Sequence, residues 1–278
     1  MTAFLLRSGA LLLAAALCVP GTSAQAQLTV DALELFVTTP DSADVVRTVR
    51  VRNDGNVRIQ AEVLTEDWER DEAGTNRFLP LGSHARSCRD ALTVFPGTVA
   101  LEPGEAATLR VRIAGGAPAC WGVVFLAHRT TMANEGRQLS YTVRTGVKVY
   151  VEPVRALRDG AIEAMTLRSD AVDSSAFNDA VITPSEASGR SAGGPALDVL
   201  FRNLGQAQLS VRGTLEVRRD DDTAAWREEM PAFPVLPEAR RRVTMSLPAL
   251  PPGRYVILAL LDFGGAELVA GQLEYEVR

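Results

Sequence analysis

The sequence predicts an all-β chain folded as two β-sandwiches in tandem, and three observations predict it. Apolar and polar residues alternate with a period of two along almost every patterned segment. No sustained helical period follows the first 26 residues. One strand-and-turn pattern also occurs twice in the same order, once in each half.

In chain order, the first segment is MTAFLLRSGALLLAAALCVPGTSAQAQ. It carries one early basic residue, Arg7, then an apolar run broken by Pro20-Gly21, and then Ala24-Gln25-Ala26. That pattern reads as a secretory signal peptide spanning 1–26 and cleaved after Ala26. The run is too short and too interrupted to read as a membrane anchor. Leu17 stands before Cys18 where a lipid-attachment signal needs a small residue. The remaining chain, roughly 250 residues, suffices for one large or two ordinary domains.

The strands follow. In RTVRVRN, Val49 and Val51 oppose Arg50 and Arg52, and in TLRVRI the inward set is Leu109, Val111 and Ile113. GVVFLAH, Gly122 to His128, is apolar on both faces, as a central strand is. VKVYVEP ends in Pro153, which closes the first unit. In LSVRGTLEVR, Leu209, Val211, Leu215 and Val217 share one face. VRNDGN (Val51 to Asn56) is echoed by FRNLGQ (Phe201 to Gln206), and LEPGEAATLRVRI by LPEARRRVTMSL. Each pair implies a hairpin turn in which Asn and Gly take positive φ, then a proline-led corner.

Two copies of about seven short strands read as immunoglobulin-like sandwiches. The expected division is 27–155 and 156–278. The second unit holds a long polar loop at about 168–195, with a short strand at Ala180-Val181-Ile182. Cys88 and Cys120 remain after cleavage and read as one disulfide in an exported chain. It closes a loop worth roughly 3–4 kcal/mol.

The net charge of −5, with both signs interspersed, argues against nucleic acid or an anionic membrane as the main partner. No second long apolar run exists, so no membrane insertion is expected after signal cleavage. Catalytic motifs are missing: there is no G-x-S-x-G, H-E-x-x-H or phosphate-binding loop. With only His84 and His128 as further ligands, the cysteines form no metal spacing. His128 reads as a packed or rim histidine, and Arg219-Asp220-Asp221-Asp222 as a solvated hairpin tip. Trp68, Trp121 and Trp226 are too scattered for a binding platform. The expectation is a protein that is not an enzyme, with no cofactor and no metal.

Four segments in order carry a resemblance: RVRND, then FPGTVALEPGEAATLRVRI, then WGVVFLAHR, then VKVYVEP. Over about Leu28 to Pro153 the chain resembles the PapD-like periplasmic chaperones of pilus assembly. The second unit resembles them mainly in size and strand pattern. The resemblance implies a periplasmic protein that binds exported pilus-type subunits by lending them a β-strand, with an outer-membrane usher as a further partner. By position the lent strand runs from about Leu139 to Val151. Leu139, Tyr141 and Val143 would fill the partner's groove, while Val147, Val149 and Val151 fill the chain's own core. Lys148, the only lysine in the chain, stands where the family keeps a cleft lysine for the subunit's terminal carboxylate.

On Lys148's parity, Arg144 and Glu152 read as ordinary outward residues. The family pairs its lysine with a first-strand arginine. Here Gln27 to Val46 holds no basic residue, and Glu34 occupies the matching position. Glu34 and Lys148 are thus candidates for an ion pair across the cleft. The competing reading is a structural or adhesive immunoglobulin-like envelope protein at the cell surface. The two readings part at Arg129 to Val143: a short, fully self-paired hairpin favours the envelope protein, an exposed strand edge the chaperone.

Overall fold

The computed structural model describes residues 27–134, 137–168 and 195–278. The segment read as a signal peptide and nearly all of the expected long polar loop, with the strand expected at Ala180-Val181-Ile182, lie outside the described residues. The first half comprises β1 (Leu28–Val30), β2 (Glu34–Thr39), β3 (Val45–Asn53), β4 (Ile59–Arg70), β5 (Asn76–Leu79), β6 (Leu92–Phe95), β7 (Thr98–Leu101), β8 (Ala106–Ile113), β9 (Cys120–Asn134) and β10 (Arg137–Pro153). One sheet has the order β1-β3-β8-β6. The other runs β2-β10-β9-β4-β5, with β7 also paired to β4.

The second half comprises β11 (Gly160–Arg168), β12 (Ala196–Asn203), β13 (Leu209–Arg219), β14 (Ala224–Val235), β15 (Arg240–Ser246), β16 (Gly253–Asp262) and β17 (Val269–Val277). Its sheets are β11-β12-β15 and β14-β13-β16-β17. The fold is two immunoglobulin-like sandwiches in tandem. The first holds ten strands rather than seven, because its early segments and the Thr98–Leu101 stretch each form short strands of their own.

Alternation builds both cores. Val49, Val51, Leu109, Val111 and Ile113 meet Val124, Leu126, Val147, Val149 and Val151 inside the first sandwich. Leu209, Val211, Leu215 and Val217 lie in the second core, with Trp226 packed against it. β9 runs between β10 and β4 and is buried on both faces from Cys120 to Leu126, which is why that segment is apolar throughout.

The repeat is exact at the level of hydrogen bonds. Asn53 Nδ2 donates to Val57 O (2.8 Å) and Leu101 O (3.1 Å), and Asn203 Nδ2 donates to Ala207 O (2.8 Å) and Val235 O (3.1 Å). Gly55 N and Gly205 N each donate to the Oδ1 of their asparagine. The expected positive φ is absent from both turns and falls instead on the proline corners, at Gly104 (79°) and Glu238 (64°). Asn is therefore needed for its amide, which ties carbonyls of two other segments, and not for a left-handed backbone. Gly205 is needed for space: a Cβ there would lie 2.3 Å from Leu157 O.

The disulfide Cys88–Cys120 is closed, with Cα atoms 5.2 Å apart and both residues in the first core. It anchors the loop before β6 to the start of β9, where Ser87 and Trp121 form a bridge. The expected antiparallel pairing of β6 with β8 brings these ends together.

The two sandwiches touch through the outer face of the six-stranded sheet. Trp68, Trp121, Val123, Phe125 and Tyr150 cluster with Leu236 of the second half. Glu72 O, in the turn between β4 and β5, accepts Arg242 N (2.8 Å) and Arg241 Nη1 (3.0 Å). Arg86 pairs with Glu238. Glu152, expected outward, is 9% exposed: it takes Arg158 Nη2 at 2.7 Å and Gln208 N at 2.9 Å. Its parity faces the other sandwich, not water.

Candidate functional site

β10 has two unlike halves. From Lys148 to Pro153 it lies between β2 and β9, parallel to the first and antiparallel to the second. From Arg137 to Val147 it pairs with β9 alone, because β2 begins at Glu34, the register partner of Lys148. β9 in turn leaves β4 at His128, so beyond that residue β9 and β10 continue as a two-stranded ribbon. Among the described residues, the β10 edge from Arg137 to Val147 faces no other strand. Such an edge offers a row of backbone donors and acceptors to an incoming strand.

The side chains match the edge. Leu139, Tyr141 and Val143 share the parity of core residues Val147, Val149 and Val151, yet Leu139 is 65% and Tyr141 40% exposed, with Val143 half-buried. The apolar stripe thus runs out of the core and onto the open edge. His128 is the register partner of Val143, at the junction of covered and uncovered strand. It is 3% exposed, and neither ring nitrogen has a hydrogen-bond partner among the described residues. Burial holds its pKa below the ordinary imidazole value. The expectation of a packed or rim histidine fits this placement.

Lys148 stands one residue past the open stretch, on the opposite face. Its backbone N–H donates to Leu33 O at 2.8 Å, fixing the start of the parallel pairing. Its Nζ lies 4.5 Å from the Trp68 ring centroid, a cation–π contact. Glu34 is exposed and accepts the Tyr150 hydroxyl at 3.1 Å. Burial, then the charge of Glu34, push the Tyr150 pKa far above its usual value, so that phenol stays a donor. Arg144 pairs with Glu66 at 2.5 Å and covers the Phe125 ring at 3.8 Å.

The aromatic and cationic surround of Lys148 escaped the sequence reading. Trp68 and Trp121 meet here, since Trp121 Nε1 donates to Trp68 O at 2.8 Å. Tyr150 stacks on Phe36, ring centroids 4.8 Å apart, and sets its edge against Trp68. Arg70 lies 5.2 Å from the Trp68 centroid. The available signal was parity: Trp68 with Arg70 on β4, and Lys148 with Tyr150 on β10, share one face of the two strands that flank β9. Trp226 belongs to the second core, and Asp222 to an exposed hairpin tip with φ of 64°. No group of metal-ligating residues occurs among the described residues.

No family model matches the chain, and no curated protein does. Solved structures do. The class 5 fimbriae chaperone CfaA is 10% identical with a TM-score of 0.47, covering 91% of this chain and 100% of that one. The chaperone–tip subunit pre-assembly complex of the archaic Csu pili of Acinetobacter baumannii, CsuC–CsuE, matches at 10% identity and a TM-score of 0.42, covering 89% and 97%. The Salmonella enterica SafB chaperone complex with SafA pilin matches at 14% and 0.39, covering 92% and 99%.

Proposed function

We propose that this protein is a periplasmic chaperone of pilus-type subunits and binds them by lending strand β10. The carrying observation is the open β10 edge, with Leu139, Tyr141 and Val143 on one face of it. An incomplete sandwich exposes unpaired backbone beside an apolar groove, and this edge supplies both complements at once: main-chain partners and side chains spaced at every second residue. The self-paired ribbon with β9 holds the edge extended before the partner arrives, which reduces the ordering cost of binding.

In this reading Lys148 receives the carboxylate ending the partner chain. Its ammonium lies just past the lent stretch, steadied over Trp68. Glu34, its register partner on β2, accepts the Tyr150 hydroxyl at 3.1 Å. The reading includes export under the direction of residues 1–26, which suits the closed Cys88–Cys120 bridge. It also takes 27–155 and 156–278 as the two domains.

The test is co-expression with a pilus-type subunit from the same genome. Wild type is expected to keep the subunit soluble and to co-purify with it. Leu139→Asp with Tyr141→Asp is expected to lose the subunit while the chaperone stays folded. Lys148→Ala is expected to weaken the complex, and less so when the subunit's last residue is amidated. Equal subunit yield with and without the double substitution would sink the reading.

A further inference from the structure

Apart from the β10 edge, the β4–β5 hairpin engages one guanidinium group from each sandwich. Arg70 closes β4, and its Nε donates to Asn76 Oδ1 at 3.0 Å. Arg241 comes from β15, and its Nη1 donates to Glu72 O at 3.0 Å. The Arg241 side chain lies against Gly74, where a Cβ would come within 2.2 Å of Nη2 and where φ is +95°, so the hairpin is shaped to admit it.

Each arginine keeps a buried nitrogen, Arg70 Nη1 and Arg241 Nε, that meets no acceptor among the described residues. A buried N–H without an acceptor is costly, and more so on a charged group. Nearby carboxylates have other partners: Glu69 pairs with Arg77 at 2.7 Å, Glu72 with Arg242 at 3.1 Å, and Asp71 Oδ1 accepts Thr75 N at 2.8 Å. Burial and then the charge of Arg70 lower the pKa of Arg241, partly offset by Asp71. Like charges desolvated together, with donors unspent, favour an anion that accepts from both.

We propose that Arg70 and Arg241 form a binding site for a small oxyanion, one arginine from each sandwich. Planar guanidinium forks suit a carboxylate, phosphate or sulfate, and such a ligand ties the hairpin of the first sandwich to β15 of the second. The site uses no residue of the β10 edge and stands or falls apart from strand lending.

The test is thermal unfolding of the purified protein in sodium phosphate, sulfate or acetate, each against sodium chloride at equal ionic strength. A saturable rise of roughly 2–4 °C is expected with an oxyanion and not with chloride. Phosphate and sulfate acting without acetate assign the tetrahedral class; acetate acting as well extends the site to carboxylates. Arg70→Gln and Arg241→Gln are each expected to abolish the rise. Arg70→Gln leaves the Arg241–Glu72 bond in place and so separates ligand loss from interface loss. Leu139→Asp is expected to leave the rise unchanged. No rise beyond chloride, or a rise that persists in both arginine variants, overturns the proposal.

Discussion

The two halves of β10 have the same alternation and opposite surroundings. Val147, Val149 and Val151 are sealed between sheets, while Leu139 and Tyr141 continue their parity into solvent. Nothing intrinsic to the strand separates them; the difference is that β2 begins only at Glu34 and β9 leaves β4 at His128. A strand's pattern thus tells which face is apolar, whereas its neighbours decide whether that face serves the chain or another molecule.

The comparison breaks most visibly in the covered half. Val149→Asp places an unpaired carboxylate in a fully buried position and is expected to cost about 4 kcal/mol or more, read as a collapse of the urea midpoint. Opening the bridge with Cys88→Ser and Cys120→Ser tests whether the covered half depends on the anchored start of β9. The expected loss is roughly 3–4 kcal/mol, equal to the effect of reductant on the wild type.

The junction is next in size. His128 has a folded-state pKa below its ordinary 6.5, so the contribution of the neutral ring is intact above that pH and is lost as pH falls through the folded value. Unfolding midpoints are expected to drop as pH falls below about 6.5, and His128→Leu to flatten that slope. In the open half Leu139→Asp is expected to change stability by less than about 0.5 kcal/mol. A loss there comparable to that of Val149→Asp would erase the distinction between the halves.

Much of this was readable from the residues. The strand alternation, the cysteine pair, the repeated Arg-Asn-x-Gly and the stripe from Leu139 to Val151 are local patterns, and local patterns survive in a string. The turn conformation was misread because Asn53 and Asn203 serve through long-range amide bonds to Leu101 and Val235, which no window of sequence reveals. Glu152 was misread for a similar reason, since its partners Arg158 and Gln208 belong to the other side of a contact between sandwiches. The assembly around Trp68 joins β2, β4, β9, β10 and the Leu236 segment, and only the sheet order makes neighbours of them.

The bare edge of β10 also bears on dosage. A strand that welcomes any extended backbone welcomes a copy of itself or a half-folded neighbour, and encounters of that kind rise with concentration. If the strand is lent as proposed, a cell making this protein is safest when supply of the strand and demand for it rise together. Overproduced alone, the same edge is a seed for precipitation; under the proposed strand lending, a matched partner covers it as soon as it is made.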